Sequence, residues 1–368
     1  MELLLSCEQQ AFVDTTRRFL AAECAIAAVR ALEHEPAGFD AAVWRRGAEL
    51  GWTSLLVSEA HGGGCLSEHG LSDLVLVAEE FGRAVAPGPL VPVNVVAEAV
   101  SRHGSADQRA AVLPGLLDGT EVAAWCGAEL VDARADGAGF VLSGRCEPVE
   151  AGAQAGHLLV GFRHPGGVGQ ALLPADHPGV RVEPLDGLDL VRRFATVHLD
   201  AVDVAPHQLL GGPTGAEAAV ERQLQVAAVL QCAESVGAMD LVFSMTLEYL
   251  GDRYSFGRPL SSYQALKHRM ADQKLWLEAS HAIATGAARA VAARQADAAE
   301  LVSAAKAWIG PHATELVQDC VQLHGGIGVT WEHDLHLYLR RVTVDRVTHG
   351  TPADHAERIA AQLLGVAS

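Results

Sequence analysis

The hydrophobic period changes twice along the chain, near residues 120 and 213, and these two changes constrain the fold more than any single motif. Up to about residue 119, apolar residues recur at the three- and four-residue spacing of amphipathic helices. Ser6 and Gln9 have the spacing of a capping box, ahead of a helix with Phe12, Thr16, Phe19 and Leu20 on one face. Leu71, Leu74, Val75, Ala78 and Phe81 form a second stripe, closed by Gly82 and Pro87, and the glycines at 62–64 are a loop between helices. From 120 to 212 the spacing shortens. EVAAWC, FVLSG, HLLVGFR, QALLPAD, VRVEPL and FATVHLDAVDV are short, β-branched and bounded by Gly, Pro and Asp, which predicts six strands. Long helical periods then return over about 216–251, 260–294, 298–324 and 333–345. The order predicts an α+β chain of three domains: helical over 1–119, a β-barrel or sandwich over 120–212, and a four-helix bundle over 213–368.

Charge narrows the partners. A net charge of −18 repels phosphate backbones and anionic lipid, so neither nucleic acid nor membrane is expected. No uninterrupted apolar run of bilayer length stands out, and the start MELLLSCEQQ lacks the basic region of a secretion signal. Seven scattered cysteines without a CxxC pair predict reduced thiols and a cytoplasmic location. His324, His333 and His336 are close in sequence, but the carboxylates beside them do not have the arrangement of a metal site, so no metal is expected.

Specific segments resemble the acyl-CoA dehydrogenase family over nearly the whole chain. ELGWTSLLVSEAHGGG (49–64), LVAEEFGRAVAPGPLVP (76–92) and the HGS…LPGLLDGT stretch (103–120) are similar to its N-terminal domain. RYSFGRPLSSYQALKHRMAD (253–272) and QLHGGIGVTWEHDLHLYLRR (322–341) are similar to two signatures of its C-terminal domain. The resemblance implies that fold and an FAD shared at a subunit interface. It also implies that Arg253, Phe256, Gln264, Gln322, Gly325, Gly326 and Thr351 contact the cofactor. An arginine suits bidentate pairing with a pyrophosphate, and glycines let backbone N–H groups approach an anion. Outside the resemblance, Arg253 reads as a surface ion pair and Gly325–Gly326 as a helix C-cap.

The catalytic carboxylate is missing. Most family members carry the base as a glutamate before Gly-Thr; here His349 precedes Gly350 and Thr351. In a minority it lies on the first long C-terminal helix, where this chain has Ala227 followed by Ala228, with Glu221 and Glu234 off register. His349 has a side chain suited to proton transfer, with Asp345 and Asp354 close in sequence. AAWCGAELVDAR (123–134) lacks the usual flavin-contacting loop. The next strand reads GRCEPVE, where Pro148 removes a ladder donor and Glu150 is expected to place negative charge near the ring. The pattern resembles the non-catalytic subunit of α2β2 heterotetrameric acyl-CoA dehydrogenases of actinobacterial steroid side-chain catabolism. That resemblance implies a paralogous partner carrying the glutamate, a bulky acyl-CoA substrate, an electron-transfer flavoprotein as acceptor and an inactive isolated chain. Two alternatives are a homomeric enzyme using His349 as acid/base and a non-enzymatic thioester-binding scaffold.

Overall fold

The computed structural model describes residues 5–364, which cluster into two compact units. The first takes the chain up to Phe19, then Arg30–Leu74 and Pro87–Ala227; the second takes Leu20–Val29, Val75–Ala86 and the chain from Ala228 on.

Six helices come first: α1 Cys7–Glu23, α2 Ile26–Ala31, α3 Ala41–Glu49, α4 Gly70–Ala84, α5 Leu90–His103 and α6 Ala106–Leu117. The capping box ahead of α1 forms: the Gln9 N–H donates to Ser6 Oγ at 3.1 Å, and the Ser6 N–H donates to Gln9 Oε1 at 3.0 Å. Ser105 and Gln108 make a second box on α6. In the first unit Trp52 packs edge-on against Phe19 at 5.3 Å and donates its indole N–H to Thr16. Buried Asp73 shapes the end of the glycine loop by accepting the Leu66 and Ser67 N–H groups at 2.8 and 2.9 Å.

The middle zone forms β1 Ala123–Asp136, β2 Gly139–Glu150, β3 His157–His164, β4 Gly167–Pro174, β5 Val180–Leu185 and β6 Phe194–Val204. These make one six-stranded sheet in the order β4-β3-β1-β2-β6-β5, so the barrel-or-sandwich expectation resolves to a single mixed sheet with β4 and β5 at its edges. Only β1 and β3 run parallel; the other neighbours are antiparallel. Cys126, Phe140, Leu142, Leu158, Val160, Phe162, Leu173, Val197 and Val202 fill the core of this zone. Strand β1 continues ten residues beyond EVAAWC because it bulges between Cys126 and Val131 and then resumes pairing.

The last zone is helical: α7 Glu217–Asp252, the small hairpin β7 Tyr254–Ser255 and β8 Arg258–Pro259, α8 Gln264–Ala292, α9 Ala298–His324, α10 Leu335–Val347 and α11 Pro352–Leu364. Helix α9 is the axis of the second unit, since α8, α10 and α11 all pack on it. Helix α11 lies beyond the last helical period expected from the sequence, which ends near residue 345. Helix α7 is long and apolar enough to cross a bilayer, although polar residues such as Gln231 and Glu234 interrupt its apolar run. Since 89% of that stretch is buried inside the fold, it is a core helix.

Candidate functional site

Two groups of sequence-selected residues lie at opposite ends of α9. At its C-terminal end, Tyr249 of α7 donates its hydroxyl to the carbonyl of His324 at 3.1 Å, and the two rings stack at 4.3 Å. The Arg253 N–H returns to the carbonyl of Tyr249 at 2.9 Å. One tyrosine therefore joins the base of the Arg253 segment to the end of the Gln322–Gly326 segment. The hairpin beyond Arg253 closes through Leu260 N–H to Arg253 O at 2.8 Å. Tyr263 donates its hydroxyl to Ser255 O at 2.8 Å, which fixes the residue before Gln264 against the hairpin. Phe256 occupies the hairpin tip in the left-handed region, φ 50°, and is 95% exposed.

Arg253, Gln264 and Gln322 are exposed, and among the described residues none has its side chain committed to a protein partner. The surface ion pair is thereby excluded for Arg253. Gly325 ends α9 as its C-cap, with φ 65°, so the cap reading holds for it. Both Gly325 and Gly326 face open space: a Cβ built on either meets no atom within 4 Å. Burial lowers the pKa of His324 below the ordinary histidine value, and its Nδ1–H donates to Cys320 O at 2.9 Å. It therefore stands as a neutral ring under the turn.

The other group sits about 24 Å away, taking Lys306 to Gln322 along α9 at 1.5 Å per residue. Here α10 ends in a turn carrying His349 at φ 59°. Buried Lys306 reaches that turn with all three ammonium donors used: to Gln231 Oε1 at 2.9 Å, Asp345 O at 2.6 Å and Thr348 O at 2.7 Å. His355 clamps the other side, with Nε2 on His349 O at 3.0 Å and Nδ1 on Ser303 Oγ at 3.2 Å. Burial pushes the His355 pKa down to about 4. Thr351 caps α11: its N–H and hydroxyl both donate to Asp354 Oδ2 at 2.8 Å, which holds that carboxyl below its usual range. Asp345 accepts from Ser235 Oγ at 3.2 Å. The structure thus brings Arg253, Phe256, Gln264 and the Gln322–Gly326 turn to one end of the bundle, and His349 and Thr351 to the other. No cluster of three or more metal-ligating side chains occurs among the described residues.

The sheet carries its own departures. Pro148 falls within a register shift between Cys146 and Val149, where the β2–β6 ladder needs no donor. Glu150 is buried and its carboxylate pairs with buried Arg192 at 3.3 Å, so the charge expected to face a flavin is held inside the sheet domain. Trp125 of β1 donates to Gln223 Oε1 at 2.9 Å, and Gln223 exchanges hydrogen bonds with Gln170 of β4 at 2.7 and 3.1 Å. This closed, buried network links the sheet to the start of α7. Beside it a cavity of about 560 Å³ is lined by Glu129, Leu130, Arg163 and Glu221 among others. Ala227 and Ala228, where a minority base and arginine are expected, are fully buried. Tyr249, Lys306 and Gln223 were missed in sequence; only the aromatic one helical turn before Arg253 offered any signal.

Helical N- and C-terminal zones flanking a mixed sheet in sequence, with these two signature segments meeting at Tyr249, are the fold of the acyl-CoA dehydrogenase family. The chain belongs to that family: the model of its N-terminal domain matches residues 6–120 and that of its C-terminal domain residues 214–364. The chain is 31% identical to the acyl-CoA dehydrogenase IpdE2 of Mycobacterium tuberculosis, over 91% of this chain and 90% of that protein. Among solved structures it is similar to a variant of the Tcur3481-Tcur3483 steroid ACAD, at 30% identity and TM-score 0.88, covering 97% of this chain and 98% of that one. The ChsE4-ChsE5 complex of M. tuberculosis shares the fold at 24% identity and TM-score 0.90, with full coverage of both chains. FAD is the cofactor of this family.

Proposed function

We propose that this chain is one subunit of a heteromeric, FAD-dependent acyl-CoA dehydrogenase that introduces an α,β double bond into a bulky, steroid-derived acyl-CoA. It lends Arg253, Phe256, Gln264 and the Gln322–Gly326 turn to an FAD held mainly by a paralogous subunit, and that subunit carries the glutamate base. The observation that carries this reading is the set of uncommitted donors at one end of the bundle. The side chains of Arg253, Gln264 and Gln322 are exposed and have no partner among the described residues, next to two glycines that a side chain has not closed off. Such a set fits an anionic dinucleotide: a guanidinium for pyrophosphate oxygens, amides for neutral acceptors and open backbone for close approach. The exposed Phe256 supplies an apolar surface beside them. Likeness to a steroid ACAD named for two gene products supports both the substrate class and the paired assembly.

An FAD held there would supply the acceptor for the β-hydrogen of the thioester, taken as hydride. This chain's part is to bind and orient: Arg253 offsets the pyrophosphate charge, and Gln264 and Gln322 fix the dinucleotide by directed N–H donors. Its own sheet domain is occupied by the Glu150–Arg192 pair and the Trp125–Gln223–Gln170 network, which argues against a second flavin seated there. An electron-transfer flavoprotein takes the electrons onward, and the assembly works in the cytoplasm. The test is co-expression with a paralogue from the same genome that retains the Glu-Gly-Thr motif. Flavin absorbance and turnover are expected for the pair and not for this chain alone; stoichiometric flavin and turnover by the isolated chain overturn the reading.

A further inference from the structure

We infer that Tyr249 and His324 are positioning residues for the dinucleotide, acting by locking the Gln322–Gly326 turn at a fixed distance from Arg253; this rests on the reading that these segments serve a shared FAD. Neither residue belongs to the donor set. Each instead ties two parts of it together. Tyr249 is one helical turn before Arg253 and receives its N–H, while its hydroxyl spans to the last carbonyl of α9 at 3.1 Å. That carbonyl belongs to His324, the residue immediately before Gly325. A carbonyl at a helix C-terminus has no partner within the helix, so the hydroxyl satisfies an orphan acceptor and holds the point where the chain leaves α9.

The histidine ring is held on three sides. It stacks on Tyr249 at 4.3 Å with 22° between the planes, donates Nδ1–H to Cys320 O at 2.9 Å, and meets the edge of His333 at 4.9 Å. The neighbouring glycines supply no side chain of their own to fix the turn, and Gly325 adopts φ 65°. Without Tyr249 the turn has freedom to move relative to Arg253. A bidentate contact and a backbone cradle on one dinucleotide lose affinity when their separation fluctuates.

The experiment uses the complex of this chain with its glutamate-bearing paralogue, comparing the parent with Tyr249→Phe, His324→Ala and Arg253→Ala. Flavin is removed and the FAD dissociation constant is read by quenching of flavin fluorescence, at a temperature where circular dichroism shows every variant folded and gel filtration shows it paired. Tyr249→Phe keeps the stacked ring and loses only the hydroxyl. It is expected to weaken FAD binding about fivefold, the scale of one part-buried hydrogen bond. His324→Ala, which removes stack and donor together, is expected to weaken it more. A merely structural role would lower the melting temperature and leave the FAD dissociation constant of the folded complex unmoved. Parent-like FAD affinity in both Tyr249→Phe and His324→Ala overturns the inference, whatever Arg253→Ala does. Parent-like affinity in Arg253→Ala alone overturns instead the role given to Arg253 and leaves that of the turn standing.

Discussion

Gly82 of α4 and Gly237 of α7 mark a helix crossing that leaves no room for a methyl group on either side. A Cβ at Gly82 would lie 1.8 Å from the Glu234 carbonyl oxygen, and one at Gly237 would lie 1.9 Å from that of Glu79. Both obstacles are backbone, which cannot rotate away. Alanine in a helix ordinarily gains up to about 1 kcal/mol over glycine, but forcing two packed helices apart costs more. Gly237→Ala is therefore expected to destabilise the second unit by about 2 kcal/mol, read as a lower urea midpoint at unchanged slope.

Lys306 is the other structural commitment of that unit. Its buried ammonium satisfies two carbonyls at the end of α10 and one amide of α7, so its removal orphans three acceptors at once. Lys306→Met, which keeps the length and apolar stem, is expected to cost about 3 kcal/mol, the scale for breaking a fully bonded buried charged group. Equilibrium denaturation measures it.

Stability should also fall in mild acid. His355 is held neutral by burial, with its pKa lowered from 6.5 to about 4. Between those values the unfolded chain binds a proton that the native chain does not. The contribution is thus fully present above about pH 6.5, is lost as pH falls through about 4, and amounts to at most about 3 kcal/mol. Denaturation curves at pH 7.5, 5.5 and 4 check the trend, and His355→Gln should flatten it.

Thr351 separates a helix cap from a cofactor contact. Because its hydroxyl and N–H are both spent on Asp354, Thr351→Ala should cost α11 about 1 kcal/mol. The FAD content of the assembled complex should not change. A loss of flavin without loss of stability would return Thr351 to the cofactor site.

For His349, the proposed division of labour predicts that His349→Ala leaves the turnover of the assembled complex unchanged. A fall of about a hundredfold or more, the scale of general acid–base catalysis, would put the proton transfer on this chain. The pH dependence of kcat separates such a role from a shift of the turn.

The sequence by itself determined the order of periods, the capping box at Ser6 and Gln9, the six strands and the long helices after residue 213. These are local properties: side-chain spacing, turn residues and caps act within a few positions and survive in a single sequence. It also determined that no glutamate stands before Gly350 or at Ala227. What only the tertiary structure decided are pairings across long separations. Tyr249 and His324 are 75 positions apart, Lys306 and Gln231 likewise, and Tyr338 reaches the carbonyl of Arg83 from 255 positions away. Propensity carries no information about such distances, including the one between His349 and Arg253. The length of α9 separates them, because a rigid helix fixes by its rise which residues share an end.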